Sequence, residues 1–209
     1  MIKKPSFNNQ CAFRKKVAHE AAFLLYTSQE KEYKQAKKMA ARNLGVRVLP
    51  KNIEIAEELD CIAKEREADS RADRLIRMRK EAFEIMSTLR CFSPKLIGSV
   101  WRGTVNLNSD IDIMVYSSGF NEVLCKIQEK GYNVVKTEHV LGPKQKKASD
   151  TFHITVSLSS GDEVEITVRD PEEKIKKTKC EIYGDLIKGL DIDQLSKVLA
   201  EDPLKRFVP

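Results

Sequence analysis

No uninterrupted apolar run in this 209-residue chain exceeds six residues, Ala21 to Tyr26. A helix that crosses a bilayer needs about 20, so membrane insertion is excluded as a function class. Behind Met1-Ile-Lys-Lys-Pro no apolar stretch with a small-residue cleavage site follows, and no secretory signal is visible. The five cysteines are odd in number, lie at least 30 residues apart and form no CxxC pair, which leaves zinc and dithiol redox sites without ligands. Reduced thiols in a cytoplasmic protein is the resulting expectation. Histidine is scarce as well, only His19, His139 and His153. No repeat or low-complexity tract occurs. With 41% apolar and 33% charged residues, the chain is charge-rich but able to build a core.

The charge that is present is unevenly placed. Lys and Arg number 37 against 31 acidic residues. Residues 1–92 hold 20 basic and 13 acidic side chains, and residues 1–49 alone hold 11 and 3, a net +8. Residues 93–209 are close to neutral, with 17 basic and 18 acidic. A basic first part attracts a polyanion such as RNA, although a lysine-rich helical face exposed to water has the same composition.

Apolar spacing divides the chain near Ser93-Pro94. Before it, Phe13, Val17, Ala21, Leu24, Leu25, Ala36, Met39 and Ala40 follow three-and-four spacing, which predicts helix over 11–44, capped by Gly45. A second helical stretch is expected over 51–90. In it Glu65 to Arg71 is either the exposed middle of one helix or a break, with Ser70 and Asp73 as a weak capping pair. After Pro94 the period becomes two. Ile111, Ile113 and Val115, then Phe152, Ile154, Val156 and Leu158, then Val164, Ile166 and Val168 each alternate with polar residues, the pattern of strands with one apolar face. Ser159-Ser160-Gly161-Asp162 predicts a hairpin between the last two. A short helix around Val123 to Ile127, a strand over Tyr132 to Val140, an exposed basic loop Gly142 to Lys147 and a helix near Asp193 to Ala200 complete the expectation. The fold class is α+β: a helical N-terminal half followed by a mixed β-sheet packed against helices. The expected divisions are a basic helical region over 1–92, a catalytic domain over 93–170, and a basic segment with a short helix over 171–209.

Chemistry concentrates in Leu96-Ile97-Gly98-Ser99-Val100-Trp101-Arg102-Gly103-Thr104 and Ser109-Asp110-Ile111-Asp112-Ile113. On a strand, Asp110 and Asp112 project from one face. Two carboxylates that close repel unless a proton or cation lies between them, and oxygen ligands on a strand suit Mg²⁺ together with substrate phosphates. Gly98 allows close backbone approach, Ser99 offers a hydroxyl to a phosphate oxygen, and a helix starting there presents free N–H groups. Arg102, one helical turn on, is expected at the same edge. Glu165 is the preferred third carboxylate because it lies mid-strand, while Glu163 shares its face. If the hairpin register holds, His153 and Thr155 share that face too. Trp101 is expected to pack, and Lys174, Lys176, Lys177 and Lys179 to be solvated.

Gly98-Ser99, a ten-residue gap, Asp110-x-Asp112 and a later acidic strand resemble the signature of the DNA polymerase beta-like nucleotidyltransferase superfamily. The tighter form, Gly-Ser-x-x-Arg-Gly-Thr with Ser-Asp-Ile-Asp-Ile, is similar to minimal nucleotidyltransferases and to archaeal tRNA-CCA-adding enzymes. The resemblance covers about residues 94–170. It implies that Asp110, Asp112 and Glu165 bind two Mg²⁺ ions, with Mn²⁺ as a substitute, and that Glu165 helps to deprotonate an attacking hydroxyl. It implies that Gly98, Ser99 and Arg102 bind the triphosphate. The reaction implied is transfer of a nucleoside monophosphate to a hydroxyl acceptor, RNA (tRNA-like) before protein, with release of pyrophosphate. A nucleic-acid-binding protein that keeps the fold without turnover is the alternative.

Overall fold

The computed structural model describes residues 7–141 and 151–209, with side chains from residue 11 onward. The predicted basic loop Gly142 to Lys147 lies outside the described residues. The chain divides into two compact units. One comprises residues 1–71, 106–108 and 180–185; the other comprises 72–105, 109–179 and 186–209.

The first unit is helical. Its α1 (Phe7–Tyr26) and α2 (Tyr33–Asn43) replace the single stretch expected over 11–44. The break falls at Thr27 to Glu32, where Ser28 takes a left-handed φ of 56° and the Thr27 hydroxyl bonds back to the Phe23 carbonyl. A Thr-Ser pair competing locally for backbone partners is the physical reason, and apolar spacing is blind to it. α2 ends as expected at Gly45. The N–H of Gly45 donates to Arg42 and that of Val46 to Ala41, the paired bonds of a Schellman stop. Val17, Ala18, Ala21, Ala22, Ala36, Ala40, Ile55 and Ala63 form the core, small residues that let helix backbones approach closely.

α3 (Asn52–Thr88) runs through both units and is broken at Ala68, whose φ of 44° and ψ of −128° are not helical. Of the two readings of Glu65 to Arg71, the break is what the structure shows. Ser70 does not pair with Asp73 as a cap; its hydroxyl donates to the Glu67 carbonyl at 2.6 Å.

The second unit is built on a five-stranded sheet, in the order β1 (Lys95–Ile97), β2 (Ile111–Tyr116), β5 (Glu163–Arg169), β4 (Thr151–Ser157), β3 (Asn133–Val140). β2 and β5 run parallel and every other pair is antiparallel, so the sheet is mixed. Alternation does its expected work. Ile111, Ile113, Val115, Ile154, Val156, Val164, Ile166 and Val168 are buried in one core with Leu75, Met78, Ala82, Ile85, Met86 and Leu89 of α3. A short helix α4 (Gly98–Arg102) follows β1, α5 (Phe120–Glu129) bridges β2 and β3, and α6 (Ile192–Glu201) starts with a full capping box between Asp191 and Gln194. Beyond the strands, Leu190 exchanges backbone bonds with Leu96 and so covers the β1 edge. The molecule is thus α+β, with a helical first part and a mixed sheet packed against helices. Among the described residues no helix is long and apolar enough to cross a membrane.

Candidate active site

The site follows from register. In the parallel pair, Asp112 stands directly opposite Glu165, while Ile111 and Val164, then Ile113 and Ile166, turn to the core. Asp110, two residues before Asp112, projects from the same face. Asp110, Asp112 and Glu165 each offer a carboxylate oxygen, and these oxygens lie within 4.8 Å of one another. Glu163 stays outside this trio and is exposed.

Gly98 shows why the first helical position here is glycine. It follows Ile97, which stands opposite Asp112 in the β1–β2 pair, and its φ is +68°. A Cβ built there would lie 1.8 Å from Asp112 Oδ2 and 2.7 Å from its Cγ. No other residue type fits without displacing the carboxylate. The turn that begins α4 therefore abuts the acidic cluster. Ser99 is half-buried, and its carbonyl accepts from the backbone N–H groups of Gly103 and Thr104. Its hydroxyl has no hydrogen-bond partner among the described residues, so it is available to a ligand.

The electrostatics point to a cation. Burial, followed by the charges of Asp110 and Glu165, pushes the Asp112 carboxyl up to about 8. Asp110 is raised too, by burial first and by Glu165 and Glu163, against a lowering bond to its own backbone. Such a cluster holds its negative charge only with a positive ligand among its oxygens. Three hard oxygen donors on paired strands fit a divalent ion such as Mg²⁺ or Mn²⁺.

Glu165 has a second neighbour. His153 Nδ1 lies 2.5 Å from Glu165 Oε1, and Thr155 faces Glu165 across β4–β5. The hairpin register thus puts both polar residues on the predicted face. A histidine that bonds a ligating carboxylate fixes its orientation.

Arg102 is placed differently from the sequence expectation. It is 4% exposed, its Nη1 donates to the Phe207 carbonyl, and its guanidinium lies 4.4 Å from the centre of the Trp101 ring. The helical turn that should bring it to the phosphate edge is the last turn of α4, and there the C-terminal segment engages it. Trp101 is buried, in keeping with a packing role. Lys174 donates to Ser93 Oγ, and Lys176 pairs with Glu173.

One residue at this end of the molecule escapes sequence reasoning: Arg79, fully buried and bonded to the carbonyls of Val100 and Trp101 in α4. A signal was present. Leu75, Arg79, Ala82 and Met86 share the core-facing stripe of α3, and a cation on such a stripe needs buried acceptors.

A Gly-Ser turn pressed against Asp112, with Asp110 beside it and Glu165 from the parallel neighbour, could hold a divalent cation next to a phosphate. Residues 95–195 match the family model described as "Nucleotidyltransferase domain". That stretch, from β1 into α6, is consistent with a member of the DNA polymerase beta-like nucleotidyltransferase superfamily. Comparison with curated proteins gives no match.

Proposed function

We propose that this protein is a metal-dependent nucleotidyltransferase that moves a nucleoside monophosphate from a nucleoside triphosphate to an acceptor hydroxyl, with RNA as the preferred acceptor. The observation that carries this reading is the convergence of Asp110, Asp112 and Glu165 within 4.8 Å beside the Gly98 turn. These three carboxylates would hold Mg²⁺, or Mn²⁺ in its place, which would supply positive charge to the phosphate oxygens and to the attacking hydroxyl.

The chain's own groups do the rest. Gly98 leaves space for the backbone of the turn to approach the phosphates, and the Ser99 hydroxyl donates to a phosphate oxygen. Glu165, held by His153, accepts the proton of the attacking hydroxyl. A bond forms from acceptor oxygen to the α-phosphorus, the bond to the bridging oxygen of the β-phosphate breaks, and pyrophosphate leaves. Arg102, buried against the C-terminal segment, supports the turn from behind. The catalytic part is proposed over residues 93–170, between a helical region (1–92) and a C-terminal segment (171–209).

Support for an RNA acceptor is the net +8 over residues 1–49, since a concentration of lysine and arginine favours phosphate backbones. Incubation with each labelled triphosphate, Mg²⁺, cell RNA and cell protein tests the reading. Label is expected on RNA, and Asp110→Ala with Asp112→Ala is expected to remove it. Label on protein alone would redirect the acceptor. Tight RNA retention with no transfer under any condition would replace catalysis by binding.

A further inference from the structure

A guanidinium without contact with water requires a hydrogen bond for each donor it brings inside. Each of the three nitrogens of Arg79 donates to a carbonyl oxygen, four bonds in all. Its Nε donates to Val100 at 3.1 Å and its Nη2 to Trp101 at 3.0 Å, both in the last turn of α4. Its Nη1 donates to Pro203 at 2.7 Å and its Nη2 to Lys205 at 2.8 Å, beyond α6. The last carbonyls of a helix have no partner within it and carry its partial negative charge. Arg79 satisfies two of them and ties them to the C-terminal segment.

That segment is fastened a second time. The Phe207 N–H donates to the Arg102 carbonyl at 3.0 Å, and Arg102 Nη1 returns a bond of 3.0 Å to the Phe207 carbonyl. The Phe207 ring lies under Arg79, 6.0 Å from guanidinium carbon to ring centre, with Lys205 Nζ at 5.8 Å. The other end of the five-residue α4 is Gly98, already in contact with Asp112. Burial draws the Arg79 guanidinium down to about 10, which still leaves it charged at neutral pH.

We propose that Arg79 is a positioning residue of the nucleotide site: with the strap Pro203–Phe207 it holds α4 by its C-terminal end, and so keeps Gly98-Ser99 in place against Asp112. This inference rests on Gly98-Ser99 being the phosphate-binding turn. Lysine cannot replace the guanidinium, because a single ammonium lacks the planar fork that reaches acceptors on two segments at once.

Two full-length variants test it, Arg79→Lys in the clamp and Phe207→Ala in the strap. Hydrogen exchange is read at the Gly103 and Thr104 amides, which bond to the Ser99 carbonyl, and at amides of β2 and β5. Affinity is read by titrating Mg²⁺ with each common ribonucleoside triphosphate, in the presence and absence of Ser99→Ala. Both variants are expected to speed exchange at Gly103 and Thr104 by about tenfold or more with the strands unchanged, and to weaken triphosphate binding about tenfold. On the Ser99→Ala background the same changes should cost less than about threefold, because the lost contact is shared. Unchanged α4 exchange in Phe207→Ala, or full additivity with Ser99→Ala, overturns the proposal. If Arg79→Lys exchanges fast throughout, it has lost its fold, and Phe207→Ala decides. A wild-type chain that binds no triphosphate ends the nucleotidyl-transfer reading, whereas the exchange arm still decides whether the strap holds α4.

Discussion

Asp112 is the residue on which the most forces meet. It is opposite Glu165, two positions from Asp110, and in contact with Gly98. Its carboxyl titrates at about 8 in the folded protein and near 4 in an unfolded chain. Folding therefore favours the protonated form. The stability from this group is complete below about pH 4 and is lost as pH rises toward and through 8. Metal-free protein should melt at falling temperature over that interval, and Asp112→Asn should flatten the slope. Added Mg²⁺ should raise the melting temperature more at pH 8 than at pH 6, because ion and proton compete for the same oxygens. Equal Mg²⁺ effects at both pH values would contradict the cluster as the ion's ligand set. Gly98→Ala places a methyl group 1.8 Å from Asp112 Oδ2 and forces a side chain into left-handed backbone. It should destabilise the protein by about 1–3 kcal/mol, measured by urea unfolding, and weaken Mg²⁺ binding. At this scale alternation puts Asp110 and Asp112 on one polar face and Glu165 on the polar face of its own strand, while it leaves Glu163 as an equal alternative and His153 dependent on the hairpin register. For Arg79 the helical stripe signals burial but not its partners, and for Arg102 it signals neither, because Pro203, Lys205 and Phe207 lie about 100 residues or more away.

Elements repeat the same contrast. Three strands of the sheet are expected from period-two spacing, and β2, β4 and β5 occupy those places. The parallel pairing of β2 with β5 is not written in either strand, yet it is what brings Glu165 to Asp112. Helix boundaries depend on local backbone competition that apolar spacing does not register. Thr27-Ser28 divides α1 from α2, and Ala68 breaks α3. An alanine at a φ of 44° and ψ of −128° occupies backbone space suited to glycine. Ala68→Gly should therefore stabilise the protein by up to about 1 kcal/mol, where the same change in a regular helix would cost about as much. Destabilisation in urea unfolding would show that α3 is continuous in solution. At the start of α6, Asp191→Ala removes a capping box and should cost about 1 kcal/mol.

For the whole molecule, a division between a helical first part and a sheet-bearing second part is visible in the change of period near Pro94. The structural units cut the chain elsewhere. Residues 72–105 join the sheet, and the short pieces 106–108 and 180–185 join the helical unit. Asn108 Nδ2 bonds to the Tyr26 carbonyl and the Leu107 N–H to Glu67 Oε1, contacts that bring distant parts of the chain together and that spacing does not encode. The charge excess lies in the first 49 residues. If that excess selects RNA, retention of RNA by the full chain should fall steeply between about 50 and 200 mM salt, and charge-reversing substitutions at Lys15, Lys16 and Lys38 should weaken retention without altering Mg²⁺ binding. The central claim is tested most directly by calorimetric titration of nucleoside triphosphate into the full chain with and without Mg²⁺, for wild type and for Asp110→Ala with Asp112→Ala. Binding that requires Mg²⁺ and disappears in the double variant is the predicted result; binding of equal strength in the double variant would contradict it.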